Sequence, residues 1–247
     1  MFAIRAASSR PQATPAPTED APRQNVRSAA PEFMRTITEI RGLKFPDEFV
    51  VRHFFKQGLA GQTRRVLELG SGTGNNLALY ADYGWSVTGV DYDQSALDDA
   101  RWNLGDGPVL IHADLSNGLP DLPGRFDAVI IPNLLCYLTL DQARAVLEGL
   151  KRHLAAGCHI FIRTRLTDDY RYGRGEMIEA DGFLLDTPET GEAGLFNRFY
   201  TPAGLVCLLD ETLGLTERQE LAVRFDNIQA GRRVPGNSDL VVWGIVP

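Results

Sequence analysis

Three carboxylates, each at or near the end of an apolar run, are the side chains in this sequence best placed to hold a polar ligand. The first belongs to residues 66–74, VLELGSGTG. Residues 66–69 suit a buried strand that carries Glu68. Gly70, Gly72 and Gly74 follow at alternate positions, and Asn75-Asn76-Leu77 opens a helix. With no Cβ in the way, such a loop turns tightly and lets its backbone approach a ligand. It also leads into a helix N-terminus, whose unpaired N–H groups can meet a carboxylate or another polar group. The dinucleotide fingerprint Gly-x-Gly-x-x-Gly is a different pattern. Counted from Gly70 and Gly72, it requires a glycine where this chain has Asn75. The second carboxylate, Asp91, ends the run 85–90, and the third, Asp114, lies just past the apolar residues 109–111. Asp93 already suits the N-cap of a helix from Gln94, which leaves Asp91 for another role.

The elements that must position these groups alternate strand and helix. Strands are expected at 66–69, 85–90, from 109, at 126–131 and at 158–162. A helix is expected over 140–154, with apolar residues at 140, 143, 146, 147, 150 and 154, ended by Gly157. Another is expected over 202–213, with Thr201 as N-cap and Pro202 at its first position. Two strands, 215–225 and 239–246, close the chain. This order predicts an α/β fold: a mostly parallel sheet with helices on both faces.

Glu68, Gly70, Gly72 and Gly74 match the acidic-x-Gly-x-Gly-x-Gly motif, and the stretch resembles the first motif of class I S-adenosylmethionine (SAM) methyltransferases. The resemblance is motif-specific over 64–138 and topological beyond. It implies a Rossmann-like seven-stranded sheet in the order 3-2-1-4-5-7-6, with the last strand antiparallel. It implies SAM as cofactor, S-adenosylhomocysteine as product and no metal. Asp91 takes the position of the ribose ligand. Tyr92 takes that of the bulky group against adenine, where plain packing is the other reading. Asp114 and the Leu115 N–H take those that meet the adenine edge. Asn75 and Asn133 complete the expected cofactor set. The run Ile131-Pro132-Asn133-Leu134-Leu135 lacks the Asn/Asp-Pro-Pro-aromatic pattern of enzymes acting on base or glutamine amines. Asp127 stands at the start of its strand, the wrong edge for a metal-binding aspartate, and no His/Cys cluster has ligand spacing.

Residues 165–200 exceed a simple connection. Short runs at 177–180, 182–185 and 195–200 read as an antiparallel ribbon inserted after the fifth strand, where many small-molecule methyltransferases build a substrate wall. Arg163, Arg165, Arg171 and Arg174 gather at its entrance, with Tyr170 and Tyr172 between them. Two readings stand: a solvated basic face, or guanidinium forks that hold an anionic acceptor. Arg171, Tyr172, Asn197 and Tyr200 are the candidate substrate contacts. Tyr137 is the candidate for orienting the acceptor, with a core tyrosine as the alternative. Methyl transfer from a sulfonium rests on positioning and exclusion of water, so no general base is assigned. The expected function is methylation of a soluble small-molecule acceptor. A non-catalytic SAM-binding regulator or partner subunit, and a methyltransferase for proteins or peptides, are the alternatives. A nicotinamide-dependent oxidoreductase lacks its glycine at position 75.

With 247 residues and a net charge of −7, the chain supports one domain and not an unspecific nucleic-acid surface. Cys136, Cys158 and Cys207 form no disulfide framework, which points to a reducing cytoplasm. No apolar run is long enough to span a membrane. Residues 1–32, rich in Ala, Pro, Ser, Gln and Arg, are expected to be disordered, with an organellar transit peptide as a second reading. The domain then covers 33–247. Phe33, Ile37 and Ile40, then Phe49, Val50, His53 and Phe54, suit two cap helices within 33–60.

Overall fold

The computed structural model describes residues 36–247, apart from positions 187, 189, 190, 226, 230, 231 and 235. The segment 1–32 and residues 33–35 lie outside the described residues. A helix α1 (Glu48–Lys56) leads into β1 (Arg65–Leu69), α2 (Asn75–Asp82), β2 (Ser86–Asp91), α3 (Gln94–Leu104) and β3 (Val109–His112). β4 (Phe126–Pro132), α4 (Leu140–Leu150) and β5 (Leu154–Arg165) follow. Next come the insertion strands β6 (Glu176–Glu179), β7 (Gly182–Leu184) and β8 (Phe196–Arg198). The chain then runs through α5 (Pro202–Thr212), β9 (Thr216–Arg224), β10 (Asn227–Gln229), β11 (Arg232–Val234) and β12 (Ser238–Ile245).

Seven strands form the main sheet, in the order β3-β2-β1-β4-β5-β12-β9. The first five are parallel, and β12 runs antiparallel to both β5 and β9. This is the expected order 3-2-1-4-5-7-6. Because successive strand residues face opposite sides, each central strand feeds two cores. Leu67, Leu69, Val129 and Ile131 pack with α4 and α5 on one face. Val66, Ala128 and Ile130 pack with Phe54 of α1 and with Leu77 and Tyr80 of α2 on the other. Burial on both sides accounts for the near-continuous apolar runs in these strands. The insertion forms a separate antiparallel sheet, β6-β7-β8, joined to the end of β5 by a bridge between Leu166 and Tyr200.

Helix starts follow their caps. The Asp93 carboxylate accepts from the N–H groups of Ser95 and Ala96. Thr139 and Gln142 form a reciprocal capping box, and Thr201 caps α5 ahead of Pro202.

Two expectations need correction. The helix expected over 140–154 ends at Leu150, passes through a short 3-10 turn at Lys151–His153, and gives way to strand at Leu154. Leu154 is buried in the same core as Leu150, so the i, i+4 spacing that suggested helix is met by a strand. Gly157, with φ +74°, lies inside β5. The register against β4 shifts there, from Phe126↔Leu154 to Ala128↔His159, as a bulge does. The first cap helix is also absent among the described residues. Residues 36–39 form a turn in which the Glu39 carboxylate accepts from the Thr36 N–H and hydroxyl. Gly42, at φ +68°, then redirects the chain.

Candidate functional site

Ligands of parallel α/β sheets sit beyond the carboxyl ends of the strands, and the candidate carboxylates lie at that edge. After β1 the chain turns through Gly70, Gly72 and Gly74 at φ +73°, +50° and +79°. The N–H groups of Gly70 and Ser71 both donate to the Val90 carbonyl, at 2.8 and 3.1 Å. A Cβ on Gly74 would stand 2.8 Å from the Leu104 side chain, so this glycine lets α2 seat closely on α3.

Asp91 ties the loop to β2. Its Oδ2 accepts from the Gly72 N–H at 2.7 Å and its Oδ1 from the Asp93 N–H at 2.9 Å. An ionised carboxylate offers about four lone-pair positions, so each oxygen retains acceptor capacity. Asp114 accepts from the Ser116 N–H at 2.9 Å and from Asn117 Nδ2 at 3.3 Å. The bonds from Ser116 hold its carboxyl below the ordinary range. His112 Nε2 lies 2.8 Å from the Tyr92 carbonyl and links the ends of β2 and β3.

These ends frame a cavity of about 530 Å³, within the size of small-molecule sites. Gly70, Asp91, Tyr92, Asp114 and Leu115 line it from β1, β2 and β3. Asn133 and Tyr137 line it from the segment after β4, and Leu195 and Phe196 from the insertion. Asn133 holds φ +57°, a conformation asparagine tolerates better than most residues. Its N–H donates to the Arg163 carbonyl.

The other candidate residues lie off this wall. Glu68 is fully buried and accepts from Asn76 Nδ2 at 2.7 Å. Burial pushes its carboxyl well above the usual range. Asn76 Oδ1 in turn accepts from the Asp47 N–H at 2.8 Å. Asp47 caps α1 and accepts from Arg163 Nη1 at 2.5 Å, and Arg163 also binds Asp239 at 2.6 Å. A polar chain thus runs from Glu68 through Asn76, Asp47 and Arg163 to β12. Asn75 Nδ2 donates to the Phe45 carbonyl, which fixes the strap ahead of α1.

The arginines expected at the insertion's entrance are turned inward. Arg163 is engaged as described. Arg165 makes a two-pronged contact with Glu192 at 2.6 and 2.8 Å. Arg171 binds Asp169 at 2.8 and 2.9 Å and lies 3.5 Å from Glu192. Arg174 donates to the Tyr170 carbonyl. Arg163, Arg165 and Arg171 thus face the protein's own carboxylates and do not form a solvated basic face. Tyr172 donates to Asp181 at 2.7 Å, and the Tyr200 hydroxyl donates to the Leu135 carbonyl at 3.2 Å. Asn197 is fully buried, and its amide has no protein partner.

Glu192, Leu195 and Phe196 are the site residues that sequence reasoning missed. One acid between Gly191 and Gly194 was the available signal. Tyr137 donates to Glu192 Oε1 at 2.9 Å and receives Arg165 Nη2 at 3.2 Å. Burial raises its phenol to about 12. Burial likewise raises the neighbouring Cys136 thiol to about 11, which suits a wall residue and not a nucleophile. Among the described residues no group of three or more His, Cys, Asp or Glu side chains could hold a metal ion.

Residues 66–157 match the family model described as "Methyltransferase domain". No curated protein matches the chain. Among solved structures, a SAM-dependent methyltransferase from Methanosarcina mazei is 20% identical with a TM-score of 0.57. The alignment covers 74% of this chain and 92% of that one. The 1,6-didemethyltoxoflavin-N1-methyltransferase of Burkholderia thailandensis, solved with 1,6-didemethyltoxoflavin and S-adenosylhomocysteine, is 19% identical with a TM-score of 0.54. It is covered over 82% of its length and 81% of this chain. The glycopeptide N-methyltransferase MtfA is 16% identical with a TM-score of 0.55, over 82% of this chain and 97% of its own. The chain has the class I SAM-dependent methyltransferase fold and carries a methyltransferase domain.

The residues present fit that cofactor. The cavity sets the partly free carboxylate of Asp91 beside an apolar slot that includes Tyr92, Ala113 and Leu115. That is the pairing a ribose diol next to a flat base requires. Among the described residues, no helix is long and apolar enough to cross a membrane.

Proposed function

We propose that the protein transfers a methyl group from SAM to a small-molecule acceptor, in a domain spanning 33–247. One observation carries this reading: a single cavity joins Asp91, Asp114 and Leu115 on the sheet's carboxyl edge to Tyr137, Leu195 and Phe196 on the insertion's side. Bound there, SAM supplies an electrophilic methyl on a sulfonium. Asp91 accepts from the ribose hydroxyls, and Gly70 lets the backbone approach. Asp114 and the Leu115 N–H meet the adenine edge, with Tyr92 against its face. Asn133 and Tyr137 stand where the acceptor enters, and Leu195 and Phe196 exclude water from it. Glu68 acts behind the wall by holding Asn76 and, through it, the start of α1.

The inward pairing of the arginines favours a neutral acceptor over an anionic one. Three free thiols, Cys136, Cys158 and Cys207, suit a reducing compartment such as the cytoplasm. A tritiated-methyl transfer assay against fractionated metabolites and against peptides tests the proposal. Label in a small-molecule fraction is expected. Label only in peptides refutes the small-molecule acceptor. No transfer, with S-adenosylhomocysteine still bound in calorimetry, refutes catalysis.

A further inference from the structure

The hydrogen bonds around Tyr137 restrict what its hydroxyl can offer a ligand. A phenol has one proton to donate and two lone pairs to accept with. Glu192, held ionised, can only accept, and a guanidinium can only donate. Burial works to raise the Glu192 carboxyl, but the hydrogen bond from Arg165 and its charge hold it below the usual range. The contact of 2.9 Å to Glu192 therefore consumes the phenol's proton, and the contact of 3.2 Å from Arg165 consumes one lone pair. Arg165 is itself fixed by its two-pronged pair with Glu192, at 2.6 and 2.8 Å. Tyr137 lines the cavity, and Leu195 and Phe196, a few residues beyond Glu192, line it too.

We infer that the remaining lone pair of the Tyr137 hydroxyl accepts a hydrogen bond from the methyl acceptor. The acceptor is then an uncharged, largely apolar molecule that presents an N–H or O–H donor, and Glu192 is the positioning residue that fixes this polarity. The inference rests on the methyltransferase reading of the same cavity. Two further features support it. The guanidinium groups that could attract an anion are paired internally. Among the described residues, the insertion contributes Leu195 and Phe196, and no charged side chain, to the wall.

The test uses the full chain saturated with S-adenosylhomocysteine, so that the adenosyl site is filled, and two probes of nearly the same shape. Indole carries an N–H donor, and benzofuran carries a ring oxygen in its place. Calorimetry first establishes that S-adenosylhomocysteine binds; its failure to bind refutes the methyltransferase reading itself. In a ligand-observed NMR titration, indole is expected to bind roughly 2- to 12-fold more tightly than benzofuran, the value of one net hydrogen bond. In Tyr137→Phe the difference disappears while S-adenosylhomocysteine binds as before. In Glu192→Gln the amide can donate to the phenol oxygen and release its proton toward the cavity, so the preference shrinks or turns toward benzofuran. A Glu192 that only braced the loop would weaken both probes alike, and that result overturns its positioning role. Equal binding of the probes, no binding of either, or a preference that survives Tyr137→Phe overturns the inference.

Discussion

Replacing Asp91 by alanine separates the two tasks this carboxylate performs. In the protein it accepts from the N–H groups of Gly72 and Asp93 at 2.7 and 2.9 Å, and one acceptor position per oxygen is left for a ribose diol. Two hydrogen bonds to an ionised acceptor are worth about 3–6 kcal/mol in sum. At 1.4 kcal/mol per factor of ten, S-adenosylhomocysteine should bind roughly 10²- to 10⁴-fold more weakly. The variant also strands two backbone donors, at about 1 kcal/mol each. For a chain of this size that lowers the melting temperature by about 4–8 °C and leaves it folded. Asp93→Ala is the control. It removes the cap of α3, costs about 1 kcal/mol, and leaves the cofactor site intact. Isothermal titration calorimetry reads the affinities and thermal melts read the stabilities. If folded Asp91→Ala binds S-adenosylhomocysteine within about threefold of wild type, a loss of under 1 kcal/mol, the ribose assignment is wrong.

The buried carboxyl of Glu68 gives a pH signature. Burial raises its folded pKa, so the stability it contributes is fully present below the unfolded value of about 4.3 and declines as pH rises toward the folded value. Glu68→Gln lacks that decline, so its melting temperature relative to wild type should climb as pH rises above the unfolded value of about 4.3; a constant difference contradicts the assignment. Arg163→Met should cost about 3–5 kcal/mol in urea unfolding, because it leaves Asp239 buried without its cation. A loss below about 1 kcal/mol would mean that the Asp47–Arg163–Asp239 bridge is worth no more than a surface pair.

The parts of the site legible in the sequence are those whose signal is local. Glu68, the three glycines and Asp91 belong to adjoining strand ends and one tight loop, so their spacing carries the geometry. The caps at Asp93 and Thr201 were legible for the same reason. The arginine partners were not. Arg163 meets Asp47 and Asp239 across 116 and 76 residues, and Arg165 meets Glu192 across 27. No spacing rule reaches that far, and a cluster of cations read alone looks like an anion site. The end of α4 was ambiguous for another reason. Leu150 and Leu154 both face one core, and an apolar pair four apart fits a helix turn as well as a helix-to-strand passage.

The position of β12 between β5 and β9 has a consequence for how the molecule assembles. Among the described residues β9 is the outermost strand, and β12 is its one neighbour in the sheet. During translation β9 leaves the ribosome first and must wait, its backbone groups unpaired, until residues 238–245 arrive and zip along both flanks at once. Until then the exposed edge of β5 is open to a strand from another nascent chain. Truncation within residues 238–245 would therefore leave β9 unpaired and the edge of β5 bare, a sticky sheet prone to precipitate.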